Sequence, residues 1–208
     1  AEDYILREDV IELVFEGLDT YADVWMNGKK ILHADNMFRT YSCDVKDLIK
    51  ENNTIKVKFY PFDKERDSLI ETYPLRFPEK YAVMRKAAYQ NGWDWAPRYM
   101  NMGIWQPVYL KAWTRSTICS ASVITKEVHD DKADLFFEAR IDANVEHNVS
   151  LQLYQENEKI LDQNIELKKG TNYYSFPFEL SDPKLWYPNE LGEQNFYSFN
   201  LKMVDNDK

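Results

Sequence analysis

The chain has 208 residues, a formal net charge of −9 and an apolar content of 44%. That length and apolar content are enough for one large core or two small ones. The acidic balance, with no basic run longer than the pair Lys168-Lys169, excludes nucleic acid and anionic membrane as expected partners.

Apolar and polar residues alternate from the start. Ile11, Leu13 and Phe15 share one face of a strand, and Ala22, Val24 and Met26 share one face of the next. Asn27-Gly28 follows, and because both residues tolerate the positive φ of a type I′ turn, a hairpin into residues 29–33 is expected. Residues 37–45 carry a further strand pattern. Residues 47–53 read as a short helical turn ended by Asn, and alternation resumes from Thr54 with Ile55, Val57 and Phe59 on one face. Residues 63–90 break the rhythm. They contain Pro74, Pro78 and many charges, and so long an excursion inside a domain is usually functional. It leads into Gly92-Trp93-Asp94-Trp95-Ala96-Pro97-Arg98. Residues 104–113 return to strand, with Val108, Leu110 and Ala112 alternating, and 114–117 read as a domain junction. In the second half residues 135–141, 149–154, 173–180 and 196–203 alternate, and 118–128 adds a fifth run. Strands at this spacing with polar turns indicate a small immunoglobulin-like sandwich. No internal repeat is visible, and no apolar run approaches a membrane span.

Two indoles flanking a carboxylate, pinned by Gly92 and Pro97, have two readings. In the first, the indoles offer flat faces to the C–H side of a sugar ring while Asp94 accepts hydrogen bonds from two hydroxyls. In the second, the aromatics form a structural corner and Asp94 caps local amides. Other chemistry-bearing residues offer less. His33, His129 and His147 have no His or Cys at ligand spacing and lie in polar, turn-like contexts, so neither a metal site nor a cofactor is expected. Cys43 and Cys119 lack the neighbours that lower a thiol pKa, and two free or buried thiols are expected. Trp25, Trp105 and Trp113 read as core or interdomain packing, and Trp186-Tyr187-Pro188 as the buried corner of the second sandwich.

The Trp-Asp-Trp run, with Arg85-Lys86-Ala87 before it and Gly103-Ile104-Trp105-Gln106-Pro107-Val108-Tyr109-Leu110 after it, resembles the β-mannosidase branch of glycoside hydrolase family 2. Two more segments agree, Phe15-Glu16-Gly17-Leu18-Asp19-Thr20-Tyr21-Ala22-Asp23-Val24-Trp25-Met26-Asn27-Gly28 and Leu185-Trp186-Tyr187-Pro188-Asn189-Glu190-Leu191-Gly192-Glu193-Gln194. The first is shared across the family, whereas the Trp-Asp-Trp run is the signal of the subgroup. The chain departs from that subgroup at Ala96, Tyr187 and Glu190, where Gly, Trp and Gly are usual.

The resemblance covers nearly the whole chain and implies an all-β fold. A jelly-roll, galactose-binding-like β-sandwich is expected over residues 1–115, and an immunoglobulin-like β-sandwich over 116–208. Family members place more sandwich before the first segment and a catalytic (β/α)8 barrel after the second domain. The first sandwich is therefore expected to lack its start and the second its last strand, with 204–208 reading as a hairpin turn cut open. The implied parent is an exo-acting retaining β-mannosidase. Its expected partners are a mannosyl oligosaccharide and the barrel of the same chain, and it needs no cofactor; the sequence does not fix its compartment, for which periplasmic, secreted or lysosomal is favoured over cytoplasmic.

The family's two catalytic glutamates lie on the barrel, so no catalytic residue is expected here. Asn157-Glu158 and Asn189-Glu190 mimic the family's Asn-Glu pair but sit in turns. By the same match Trp93 and Asp94 are the substrate contacts, while Trp95 and Arg98 support the loop, Arg98 by pairing with a carboxylate. Asp19 and Asp23 are assigned to architecture. β-Galactosidase, β-glucuronidase and exo-β-glucosaminidase share the two sandwiches and form one alternative. A free-standing carbohydrate-binding module is another.

Overall fold

Residues 4–73 and 80–205 are described by the structure, a computed structural model. Their regular elements are mainly antiparallel strands, in two units, 1–112 and 113–208. The first unit is built from β1 (Val10–Phe15), β2 (Leu18–Asp19), β3 (Ala22–Met26), β4 (Lys29–Ala34), β5 (Tyr41–Asp44), β6 (Ile55–Phe59), a helix α1 (Phe62–Thr72), β7 (Gly103–Ile104) and β8 (Val108–Trp113). Two sheets of order β5-β1-β8 and β4-β3-β6 carry it, with β2 paired to β7. Ile11, Leu13 and Phe15 of β1 and Ala22, Val24 and Met26 of β3 converge on one core, as their alternation requires. Each large aliphatic or aromatic side chain buried there contributes about 1.5–3 kcal/mol.

The hairpin at Asn27-Gly28 forms as expected, with φ of 50° and 88° at the two turn residues and Met26 opposite Lys29. Asn27 also ties this turn to the next one. Its amide donates to Leu48 O at 2.8 Å and Asn53 Oδ1 at 2.9 Å, and its Oδ1 accepts the Thr54 N–H at 2.9 Å. The helical turn after β5 is a single one, closed by Ile49 N–H on Val45 O at 2.9 Å.

Asp23 sits on the central strand β3 and gathers Lys30 at 2.6 Å, His33 Nδ1 at 2.8 Å and the Tyr60 hydroxyl at 2.8 Å. Burial alone would raise its pKa, but the hydrogen bonds from Lys30, His33 and Tyr60 outweigh that and hold it at about 2. A folded-state pKa below the unfolded value means that this carboxylate stabilises the fold above about pH 4. The contribution is lost as pH falls through about 2. The gap in urea midpoint between wild type and Asp23→Asn is therefore expected to be full at pH 7 and to close toward pH 2. A gap independent of pH would show that the ionised carboxylate is not what matters.

The excursion after β6 is not structureless. Its first part is α1, in which no residue is fully buried and whose half-buried face carries only Phe62, Leu69 and Ile70, interrupted by Arg66, too broken a stripe to be read. What marks it in the sequence is Pro61 at its start, Asp63 and Glu65 in the first turn where the helix dipole favours acids, and an Asp63–Arg66 pair at 2.7 Å. Pro74 and Pro78 lie outside the described residues.

The second unit comprises β9 (Ser116–Val128), β10 (Lys132–Ala143), β11 (His147–Gln155), β12 (Glu158–Leu167), β13 (Gly170–Ser181) and β14 (Phe199–Asp205), in sheets of order β13-β10-β9 and β12-β11-β14. Phe137, Ala139 and Ile141 of one sheet and Val149, Leu151 and Leu153 of the other share a core, making this unit a sandwich as well. The five runs read from the sequence appear as strands, but β12 is an addition to them. Its inward residues are Leu161, Ile165 and Leu167, and an exposed Gln163 at the same parity breaks the alternation. Val204 and Asp205 are not an opened turn, because they pair with Ser150 and Val149 as the end of β14; residues 206–208 lie outside the described residues.

Two further expectations are corrected here. The Trp186-Tyr187 corner is not buried, since Trp186 is 50% exposed. It is held by its own segment, through the Trp186–Gln194 bridge and the Tyr187 ring against Gly192, rather than by a core. His147 is not in a turn-like polar setting. It is buried at the start of β11 with Nε2 3.0 Å from Ser116 Oγ and Nδ1 3.0 Å from Val145 O.

Candidate functional site

The loop that carries the two indoles is shaped by main-chain chemistry. A 3-10 turn over Ala88–Asn91 delivers the chain to Gly92, whose φ of 98° and ψ of 166° lie in a region closed to nearly all L side chains. Trp93 and Ala96 then exchange both main-chain hydrogen bonds at 3.2 Å, so Asp94 and Trp95 are the central pair of a tight turn. Trp93 is 66% exposed and Trp95 85% exposed. Asp94 is exposed as well, and among the described residues it makes no hydrogen bond or ion pair. The backbone closes this turn, Asp94 caps none of it, and neither indole belongs to a core.

The two residues expected to brace the loop differ from each other, and the carboxylate partner expected for Arg98 is replaced by an aromatic ring. Trp95 is too exposed to hold the turn from within. Arg98 meets no carboxylate among the described residues, and its guanidinium instead lies 5.5 Å from the centre of the Phe62 ring on α1. Two of the four acids of α1 are taken by another guanidinium, because Arg66 binds Asp63 at 2.7 Å and Asp67 at 2.8 Å while also covering Phe62.

What does brace the loop is a buried polar hub that the sequence reading placed in architecture only in part. The Asp19 carboxylate, on β2, receives Lys86 Nζ at 2.5 Å, Gln90 Nε2 at 3.0 Å and the Thr20 hydroxyl. Lys86 Nζ also donates to Asn101 O at 2.6 Å, and Gln90 Oε1 accepts the Asn101 N–H at 3.2 Å. The side chains of Lys86 and Asp19 are only 1% and 5% exposed. Nearby, Met37 accepts at its carbonyl from the Trp105 indole N–H at 3.0 Å and donates its own N–H to Arg85 O at 2.9 Å. A Cβ at Gly17 would overlap that indole, so glycine is required there. Lys86, Gln90 and Asn101 gave no sequence signal of a shared role, since their meeting depends on tertiary contacts across 67 to 71 positions from Asp19.

The histidines are less isolated than their spacing implied. Across the β9–β10 hairpin, His129 Nε2 lies 3.2 Å from Asp134 and 4.0 Å from Glu127, because the antiparallel register sets residue 134 opposite 127. Lys132 supplies the positive charge to this cluster, at 3.3 Å from Asp134 and 2.7 Å from Glu179, and the His129 hydrogen bond leads the causes that lower the Asp134 pKa. His33 likewise pairs with Asp23 at 2.8 Å. Glu158 follows the two-residue turn between β11 and β12, and Glu190 sits in a turn closed by Leu191 N–H on Pro188 O at 3.0 Å.

Residues 1–106 match the family model described as glycosyl hydrolase 2 galactose-binding domain-like, and residues 118–208 match that of glycosyl hydrolases family 2. The chain is similar to beta-mannosidase B of Thermothelomyces thermophilus, at 28% identity over 94% of this chain and 24% of that protein. It is also similar to beta-mannosidase A of Aspergillus aculeatus, at 28% identity over 93% of this chain and 24% of that protein. Among solved structures, a beta-D-mannosidase from Dictyoglomus thermophilum superposes with a TM-score of 0.80 at 31% identity, covering 100% of this chain and 26% of that one. An exo-chitosanase of Amycolatopsis orientalis shares the fold, with a TM-score of 0.70 at 24% identity over 95% of this chain and 22% of that one. The chain thus spans about a quarter of the length of the relatives it matches. With the first model covering about half of its length and the second most of the remainder, the chain belongs to glycosyl hydrolases family 2, as a galactose-binding-like β-sandwich followed by an immunoglobulin-like one.

Proposed function

We propose that the chain is the non-catalytic N-terminal portion of an exo-acting retaining β-mannosidase, and that its Trp93-Asp94 turn completes the pocket for a terminal β-linked mannose. The observation that carries this reading is an exposed indole beside a carboxylate that has no partner among the described residues, on a turn whose stems are tied to a buried hub. Such a pair has nothing to do for its own fold and the right chemistry for a sugar, an apolar wall and an acceptor for hydroxyls. The beta-mannosidase names of the relatives support the choice of sugar. Retaining hydrolysis needs two carboxyl groups about 5 Å apart. In this reading a barrel elsewhere in the parent chain provides them, the turn acts by positioning, and the 208 residues alone are inactive.

The test is hydrolysis by the full-length parent of an aryl β-mannoside against the matching β-galactoside, β-glucuronide and β-glucosaminide. A preference for the mannoside of about tenfold or more in kcat/KM is expected, equivalent to about 1.4 kcal/mol of differential transition-state binding. Preference for another of the four sugars would refute the mannose assignment within the family. Failure to hydrolyse any of them would leave a carbohydrate-binding module as the reading.

A further inference from the structure

The polar hub beneath the loop does more than fill a space. Loop 91–100 leaves the first unit through Gln90 and returns to it through Asn101, and one carboxylate, that of Asp19, governs both points. Gln90 is held by its amide on Asp19 Oδ2 at 3.0 Å. Asn101 is held at both its main-chain groups, its carbonyl by Lys86 Nζ at 2.6 Å and its N–H by Gln90 Oε1 at 3.2 Å. Lys86 is in turn fixed by Asp19 Oδ1 at 2.5 Å. Two residues further on, Gly103 pairs with Asp19 itself in the β2–β7 ladder. The outgoing and returning strands of the loop are thus cross-linked through side chains that are themselves buried, at the base of a turn whose tip is exposed.

We infer that Asp19 and Gln90 are positioning residues for the sugar site, acting through Trp93 and Asp94 by fixing the distance and direction at which the loop leaves the sandwich. This inference rests on the sugar-site reading of the Trp93-Asp94 turn. A tip placed by a hydrogen-bonded base arrives at the substrate already oriented, and misplacement by about 1 Å costs on the order of a hundredfold in rate. Gln90 is the informative member, because it makes the two cross-links without belonging to the Lys86–Asp19 ion pair.

The test is a double-mutant cycle in the full-length parent enzyme, with kcat/KM for its preferred aryl glycoside measured for wild type, Gln90→Met, Asp94→Ala and the double variant. Gln90→Met keeps the buried volume and removes both hydrogen bonds. It is expected to lower kcat/KM by about tenfold or more, and to lower it by a smaller factor when Asp94 is already Ala, since part of the clamp's effect passes through that residue and part through Trp93. A loss from Asp94→Ala with none from Gln90→Met would overturn the clamp alone, as would two losses that simply multiply. No loss from Asp94→Ala would overturn the sugar-site reading beneath it. Should Gln90→Met fold poorly, Gln90→Glu gives a second measurement. The introduced carboxyl reproduces both hydrogen bonds only when protonated and repels Asp19 when ionised, so its activity relative to wild type should fall as pH rises. A ratio flat across pH would count against the clamp.

Discussion

Lys86→Ala is expected to destabilise the first unit by about 3–5 kcal/mol, the usual cost of removing one partner from a buried ion pair. The ammonium of Lys86 is almost wholly withdrawn from solvent and lies between Asp19 Oδ1 and Asn101 O. Its removal strands a carboxylate where water cannot replace it and leaves a carbonyl without its donor. The core around Phe137, Leu151 and Leu153 in the second unit has no stake in this pair. Amide hydrogen exchange is the suitable measurement, because it reports protection strand by strand. The loss should appear in β1, β3 and β6 and spare β10 and β11. Neutralising both partners at once, with Asp19→Asn and Lys86→Met, should cost less than Lys86→Ala, since replacing a whole buried pair is far cheaper than breaking it. A loss under about 1 kcal/mol for Lys86→Ala would mean that the pair behaves as a solvated surface bridge.

How far the sequence could be read depended on whether a feature is local. The strand faces through Ile11, Leu13 and Phe15, and through Ala22, Val24 and Met26, follow from period-two burial, and the Asn27-Gly28 hairpin from two residues that accept positive φ. The same rule hid α1, whose half-buried face carries only Phe62, Leu69 and Ile70 and is interrupted by Arg66, and β12, where Gln163 stands at an inward parity yet is exposed. In both cases the burial pattern departs from the template that makes an element legible. The immunoglobulin-like assignment already followed from strand spacing, whereas the jelly-roll, galactose-binding-like one came from resemblance, and the first family model's description agrees with it.

The candidate site divides in the same way. Gly92, Pro97 and the Trp-Asp-Trp run announce an ordered, unusual loop from neighbouring residues alone. The exposure of Trp93 and the absence of a partner for Asp94 among the described residues are tertiary facts, and the residues by themselves favour an aromatic corner until the family resemblance is added. The hub is less legible still. Asp19, Lys86, Gln90 and Asn101 are polar residues of kinds that usually face water, and nothing in their spacing indicates that folding brings them together. Arg98 illustrates the opposite error. A guanidinium in an acidic chain suggests a carboxylate partner, but Asp63 and Asp67 of α1 bind Arg66, and Arg98 lies over the face of Phe62.

Asp94→Ala in the full-length enzyme is expected to lower kcat/KM by more than tenfold, about 1.4 kcal/mol or more of lost transition-state stabilisation, while leaving the fold intact. The two halves of that prediction have separate causes. Asp94 is exposed and makes no hydrogen bond or ion pair among the described residues, and the turn it occupies is closed by Trp93 and Ala96 through the main chain. Its removal therefore deprives the folded protein of little, and the unfolding free energy should move by no more than about 0.5 kcal/mol, as for an ordinary surface change. A substrate hydroxyl, by contrast, would lose a charged acceptor in a site from which the sugar has displaced water. Asp94→Asn separates charge from geometry, since the amide keeps one acceptor of similar reach and replaces the other with a donor. Its loss should fall between wild type and Asp94→Ala. A fall in activity matched by a fall in stability would point to a structural residue, and unchanged kinetics in a folded Asp94→Ala enzyme would remove the turn from the substrate pocket altogether.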